Sequence, residues 1–222
     1  MNITESMKLF LKELSDNRSA KTTNKYEYVL DLFGSYLANY AELSYEEHKD
    51  KGCLITADTK ELHDGQVSNF LEWFLIRKVI GPQWLNTTAP SVIKAYIKWL
   101  IHQNLITDGA MDEIVETTKK ASKDLPRVEK AANLLYKLYE ENSGKFYPDK
   151  FKDDDYMEGY GEVSGMLDDK LFLDYEGEKI EPILITGEIA GYLKKGDTVN
   201  LVVGRKKNLW YPLEVGNVYP GQ

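Results

Sequence analysis

The sequence predicts an α+β protein, in which an all-helical bundle is followed by a small antiparallel β-barrel. Two observations predict this class. Apolar residues recur with the helical period of about 3.6 residues through the first two thirds of the chain. From Tyr156 onward, short β-rich runs instead alternate with glycines and turn pairs. We therefore expect a helical domain over 1–142, a linker over 143–155 and a barrel domain over 156–222.

The first two helices are indicated by apolar stripes on one face. The stripe of the first helix comprises Met7, Phe10, Leu11 and Leu14. The stripe of the second runs from Tyr26 to Tyr40. Thr22 or Thr23 is the N-cap that we expect for this helix, because a hydroxyl oxygen accepts a hydrogen bond from a first-turn amide.

The third and fourth helices are predicted in the same way. Asp64 is expected to cap the third helix, whose stripe runs from Val67 to Leu75. Pro90 is expected to begin the fourth helix behind Thr88, because proline is favoured at the first helical position. The residues expected to face inward are Ile93, Tyr96, Ile97 and Leu100.

Two further helices are expected before the barrel. The fifth begins near Asp108 and ends before Pro126, since proline disfavours helix at the residue before it. The sixth carries an apolar stripe from Val128 to Tyr139 and ends at Gly144, which suits a left-handed C-cap.

The connection between residues 41 and 63 is long and charged, with one short apolar run over 53–55. A structureless connection of this length is unusual in a compact domain. We expect either an extra turn of helix or a loop.

The barrel is predicted from five short runs with turn residues between them. They are Glu162–Leu167, Leu171–Tyr175, Ile180–Ile185, Thr198–Val203 and Leu209–Val215. No intervening segment is long enough for a helical crossover, which favours antiparallel pairing. The spacing is typical of small barrels of the SH3 or OB type.

Several kinds of chemistry are excluded by the residues available. Cys53 is the single cysteine, so no disulfide framework can form. The three histidines are far apart and give no ligand spacing for zinc. Gly159 and Gly161 alone are weak evidence for a nucleotide site. We expect no metal, no cofactor and no catalytic residue.

The charge argues against a strongly basic nucleic-acid-binding domain. The net charge is -8, with 15 Lys and Arg against 18 Asp and Glu up to Leu125 and 13 against 18 beyond it. Only local basic patches are therefore available. The sequence shows no signal-peptide pattern and no apolar run long enough to cross a bilayer, so we expect a cytoplasmic protein without a membrane partner.

Three segments carry a resemblance to a known family. They read KTTNKYEYVLDLFGSYL, VSNFLEWFLIRKV and TTAPSVIKAYIKWLIHQNLI. In this order they resemble the core-binding domain of tyrosine recombinases and phage integrases, also called the SAM-like N-terminal domain, over Thr22 to Ile106. The resemblance implies a small helical bundle that clamps DNA. The family's His-x-x-Arg motif and its set of arginines do not follow, so we expect no recombinase activity.

The resemblance implies two groups of DNA-contacting residues. At the start of the second helix they are Lys21, Thr22, Thr23 and Lys25. At the start of the fourth they are Thr87, Thr88, Ser91 and Lys94. Hydroxyls and free amides at helix N-termini suit phosphate oxygens. The alternative is that the hydroxyls only cap helices and the lysines are solvated.

A second basic candidate lies in the barrel. Arg205, Lys206 and Lys207 are predicted at a hairpin tip, with Trp210 and Tyr211 just beyond. Basic residues interleaved with aromatics bind single-stranded nucleic acid on barrel faces. The alternative, which we favour, is a charged turn followed by a core strand whose tryptophan fills the barrel.

These observations predict a non-catalytic protein that binds double-stranded DNA. The alternative is a protein–protein interaction module that uses both domains without nucleic acid. In that case the partner is another protein, or a second copy that associates through the β-barrel.

Overall fold

The computed structural model describes residues 1–48, 52–107, 111–143, 152 and 155–221. The chain is α+β as predicted, with helices in its N-terminal part and a closed five-stranded β-barrel in its C-terminal part. It divides into two compact units, Met1–Lys123 and Asp124–Gln222. The division falls nearer the N-terminus than the boundary expected at 142, because residues 124–143 group with the barrel. Most of the expected linker lies outside the described residues.

The first unit is built from helices around an aromatic core. Its helices are α1 (Ile3–Ser15), α2 (Ala20–Tyr40), α3 (Asp64–Asn69), α4 (Leu75–Lys78) and α5 (Leu85–His102). A π-helical turn, Phe70–Phe74, joins α3 to α4. The core centres on fully buried aromatic side chains: Phe33, Tyr36, Phe70 and Tyr96. Their burial gives the helices one shared apolar centre, as the stripes predict.

Two of the predicted helix starts are wrong by several residues. α2 is capped by Ser19, whose Oγ accepts from the amide of Thr22 at 3.3 Å, and not by Thr22 or Thr23. Ser19 has the extended backbone that an N-cap needs, and its side chain can therefore reach the amides of the first turn. Pro90 lies inside α5, five residues after its first residue.

A third wrong prediction concerns Pro126. The fifth and sixth helices are one helix, α6 (Met111–Ser143), and Pro126 lies within it. A proline removes one intrahelical hydrogen bond, at a cost of about 3 kcal/mol. The helix continues because neighbouring residues on the same element, Ala121, Leu125 and Val128, are buried and stabilise it by packing.

The connection between residues 41 and 63 contains a small β-hairpin. Strands β1 (Tyr45–His48) and β2 (Gly52–Ile55) pair antiparallel, with Tyr45 opposite Ile55. A turn of 3₁₀ helix, Thr59–Glu61, follows. Ile55 is buried and β2 packs against α2, so the short apolar run anchors the hairpin to the bundle.

The barrel strands confirm the five predicted runs and extend most of them. They are β3 (Tyr156–Leu167), β4 (Lys170–Tyr175), β5 (Glu178–Leu184), β6 (Thr198–Lys206) and β7 (Leu209–Tyr219). The closed order is β3-β4-β5-β7-β6. β6 returns to pair with β3, which makes β6-β3-β4-β5 a Greek key. β7 closes the barrel between β6 and β5, and it pairs parallel with β5, so the prediction of an antiparallel barrel is wrong at this pair. A short helix, α7 (Gly187–Ala190), precedes β6.

Inside the barrel, two glycines of β3 make room for an aromatic ring. A Cβ on Gly161 would lie 2.8 Å from the Tyr175 ring, and one on Gly159 would lie 3.5 Å from it. Tyr175 is buried, and burial raises the pKa of its hydroxyl. The Gly-x-Gly pattern therefore has a packing role.

Residues 124–143 of α6 are fastened to the barrel by a buried ion-pair cluster. Arg127 donates to both oxygens of Asp197, at 2.6 and 2.9 Å, and to the carbonyl of Tyr192 at 2.8 Å. It also pairs with Asp124, which accepts from Lys194 Nζ at 2.9 Å. Burial opposes ionisation of Asp124, but the hydrogen bonds from Lys194 and Arg127 lower its pKa.

Candidate functional site

The structure joins the start of α5 to α2 through Trp84, which contacts Lys25, one of the predicted DNA-contacting residues. The ammonium of Lys25, on α2, lies 4.7 Å from the centre of the Trp84 ring, and Trp84 is the N-cap residue of α5. The ring of Tyr28 meets the same indole edge-on, with centroids 5.6 Å apart. The starts of α2 and α5 therefore form one surface, held by an aromatic and a cation–π contact.

One face of α5 is polar and the other is buried. Thr87, Ser91, Lys94 and Lys98 follow one another at helical spacing and lie exposed or half-buried on the outer side. The inner side consists of fully buried residues: Ala89, Val92, Ile93, Tyr96, Ile97 and Leu100. We call Thr87, Ser91, Lys94 and Lys98 the α5 face. Lys98 was not among the predicted residues, although its spacing from Lys94 marks it.

The charge of this region differs from that of the chain. No Asp or Glu occurs from Trp73 to Thr107, whereas Arg77, Lys78, Lys94 and Lys98 do. α5 consequently carries two lysines and no carboxylate. This local excess of positive charge is invisible in the net charge of -8 and in the count for each half. An acid-free segment is the signal by which sequence alone could have found Lys98.

The predicted hydroxyls are mostly engaged within their own helices. Thr87 Oγ1 donates to the carbonyl of Trp84 at 2.8 Å, and Ser91 Oγ donates to that of Thr88 at 2.7 Å. On α2, Thr23 Oγ1 donates to the carbonyl of Ser19, and the hydroxyls of Thr22 and Ser19 bond to each other. The protons of Thr23, Thr87 and Ser91 are therefore already used, whereas the bond between Ser19 and Thr22 uses only one of their two hydroxyl protons.

Donors for an anion come instead from the lysines and from the backbone. Lys21 is exposed at the start of α2, and Lys94 and Lys98 lie on the α5 face. Trp84 supplies no side-chain cap to α5. The first-turn amides of Asn86 and Thr87 thus find no side-chain acceptor in the described part of the chain. The positive end of the helix dipole lies at these amides, about 12 Å along α5 from Lys94 and about 18 Å from Lys98.

The basic tip of the barrel is arranged differently. Arg205 donates to Asp155 at 2.8 Å, and its guanidinium lies 5.3 Å from the centre of the Trp210 ring. Trp210 is buried, and Lys206 is also engaged in an interaction. Lys207 occupies the turn with a positive φ of 59°. This geometry favours a charged turn followed by a core strand.

Within the described ranges, no helix is both long and apolar enough to span a bilayer. The same ranges hold no group of three or more His, Cys, Asp or Glu side chains placed to bind a metal ion. Comparisons with protein-family models, with curated proteins and with solved structures find no match to this chain.

Proposed function

We propose that the helical unit binds the backbone of double-stranded DNA without catalysis, through the α5 face together with Lys21 and Lys25 of α2. The observation that carries this proposal is that α5 has two lysines and no carboxylate of its own in an acidic chain, although Glu13 of α1 accepts a hydrogen bond from Trp99 of α5 at 2.8 Å. Phosphate binding is driven by clustered lysines and helix N-termini, and both are present here. The resemblance to recombinase core-binding domains, which clamp DNA with a helical bundle, supports the same function.

We propose binding alone because two of the four arginines of the chain are held in ion pairs. The arginines of the chain are Arg18, Arg77, Arg127 and Arg205. Arg127 is committed to Asp197, and Arg205 is paired with Asp155. A phosphoryl-transfer site needs several cations directed at one phosphate.

The test is a charge reversal of the α5 face. Binding of a fluorescently labelled duplex is measured by anisotropy across a salt series, for the unmodified protein and for Lys94→Glu with Lys98→Glu. We expect affinity to fall with salt, and the double variant to lower the slope of log K against log salt by about 2. The control is Lys119→Glu with Lys123→Glu, which makes the same change in net charge on exposed positions of α6.

Two outcomes contradict the proposal. One is the absence of duplex binding by the unmodified protein at low salt. The other is an equal loss of duplex affinity in the α5 and α6 variants, which would mean that binding depends on net charge and not on the α5 face.

The barrel, by our proposal, is of the OB type. Its Greek-key order, five strands and short helix before β6 support this assignment over an SH3 barrel. OB barrels bind oligonucleotides on their second and third strands and adjacent loops. Here those strands are β4 and β5. Their outward and turn positions carry Asp168, Asp169, Asp174, Glu176, Glu178 and Glu181.

This acidic surface favours a second candidate function for the barrel, namely contact with a basic protein partner. Carboxylates repel phosphates, so nucleic acid is the wrong ligand for this side of the barrel. Copurification that returns one basic protein, and loses it when Glu178 and Glu181 are both changed to Lys, would support this role. Retention of the partner by that double variant would contradict it.

A further inference from the structure

A second candidate site lies at the other end of α2. A shallow, open cavity of about 280 Å³ is lined by Tyr36 and Tyr40 of α2, by Asn69 at the end of α3, and by Trp73 of the π-helical turn. Tyr40 is 15 positions beyond Lys25, which places the cavity about 22 Å along α2 from Trp84. The cavity is therefore distant from the contact between Lys25 and Trp84.

The walls of the cavity are aromatic and held in place. Tyr36 is 2% exposed and packs against the rings of Phe70 and Phe74, with centroids 5.8 and 5.5 Å apart. Tyr40 is 46% exposed and meets Trp73 edge-on at 5.4 Å. The floor is fixed by the core, whereas the rim presents aromatic surface to solvent. π-Helical turns occur frequently at functional sites because they re-aim side chains in this way.

The polar groups of the cavity are an amide and an ammonium. Asn69 is exposed and lines the cavity. An asparagine side chain has two N–H donors and a carbonyl acceptor, which it can offer to a ligand. The ammonium of Lys78 lies 5.8 Å from the ring centres of both Tyr40 and Trp73.

These groups discriminate between classes of ligand. Lys78 already offers its charge to the exposed Tyr40 ring and the half-buried Trp73 ring, so a cationic ligand would be repelled. A planar ring with hydrogen-bonding edges could stack on Tyr40 or Trp73 and meet the amide groups of Asn69. An anionic group on such a ligand would be attracted by Lys78.

We propose that this cavity binds one nucleotide, with the base stacked on Tyr40 or Trp73, its edge hydrogen-bonded to Asn69 and its phosphate near Lys78. The same chemistry is offered by a free mononucleotide and by an unstacked base of a single strand. The proposal does not rest on the α5 face: duplex binding and nucleotide binding are measured separately, and either can fail alone.

The experiment is a calorimetric titration of the full chain with AMP, CMP and GMP in separate runs and with a short single-stranded DNA. Expected is a saturable signal for at least one of these ligands. Tyr40→Ala and Asn69→Ala should each weaken it by about 10-fold or more, the scale found for loss of one base-stacking or edge contact. Both side chains are exposed, so the variants should retain the fold, which circular dichroism checks.

Tyr136→Ala is the matched control, since it removes an equally exposed tyrosine from the other unit and should leave the affinity unchanged. If a mononucleotide binds, the ligand of the cavity is a free nucleotide. If only the single-stranded DNA binds, the ligand is an unstacked base of a strand. The proposal is overturned if no ligand binds up to millimolar concentration, if affinity survives both Tyr40→Ala and Asn69→Ala, or if tetramethylammonium binds instead.

Discussion

Replacing Arg127 by Met is expected to destabilise the barrel unit more than any exposed substitution. The change removes two hydrogen bonds to Asp197, one to the Tyr192 carbonyl and one to Asp124. Asp197 is 1% exposed, so its carboxylate would be left buried without its cation. Breaking a buried ion pair in this way costs about 3–5 kcal/mol.

The structure places the expected cost at the lower end of that range. Asp197 keeps two backbone donors, the amides of Lys194 at 2.7 Å and Gly221 at 3.1 Å. Asp124 keeps the ammonium of Lys194. We therefore expect about 3 kcal/mol, which is roughly a 100-fold change in the unfolding equilibrium.

Hydrogen exchange measured by mass spectrometry reports the two units separately. In Arg127→Met, amides of β6 and β7 should exchange roughly 100-fold faster, whereas those of α2 should not change. The control is Lys130→Ala on the same helix. Lys130 is 45% exposed and lies 3.9 Å from Glu188, which is 63% exposed, so its loss should cost at most about 1 kcal/mol.

Arg127→Lys extends the test if Arg127→Met does not fold. It keeps the charge but loses the two-pronged geometry, and should lie between the control and the Met variant. The reasoning is refuted if the amides of β6 and β7 exchange as slowly in Arg127→Met as they do in Lys130→Ala.

Further substitutions test the barrel interior and its pH dependence. Gly161→Ala should lower the free energy of unfolding, measured by urea denaturation, by about 1–3 kcal/mol. The reason is that the new methyl would lie 2.8 Å from the Tyr175 ring. Gly165→Ala, whose Cβ would find Phe172 no closer than 4.0 Å, should leave the midpoint nearly unchanged or raise it. Asp124 has a folded-state pKa below its unfolded value, so its ion pairs stabilise the fold above about pH 4 and lose that effect as pH falls through the folded pKa. Asp124→Asn should accordingly reduce stability at pH 7 and flatten the loss of stability below about pH 4, as urea midpoints at each pH would show.

Much of the fold could be predicted because burial imposes periodicity on the sequence itself. The stripe from Tyr26 to Tyr40 became α2, and the alternation after Tyr156 became the barrel strands. The helix boundaries predicted from Pro90 and Pro126 are wrong. The preference of proline for helix starts and its effect on the preceding residue are averages over many helices. At Pro90 and Pro126, packing of the buried neighbours outweighs the single lost hydrogen bond.

Features that depend on few residues or on distant contacts were harder to predict. The β1–β2 hairpin rests on two four-residue strands of which only Ile55 is buried deeply among the described side chains, which is too short a pattern to recognise. The starts of α2 and α5 were proposed separately. Only the structure shows that Lys25 and Tyr28 meet at Trp84, because that contact joins residues nearly 60 positions apart.

The net charge of -8 and the proposed DNA contact are compatible because electrostatic effects on a surface are local. At physiological salt the field of an exposed charge is screened beyond about 8 Å. A net charge summed over the whole chain therefore does not set the local potential at α5. Lys21, Lys25, Lys94 and Lys98 are four cations, so the slope of log K against log salt should not exceed about 3.6 in magnitude. A steeper slope would mean that cations outside this surface bind DNA, and a slope near zero would mean that phosphates are not the ligand.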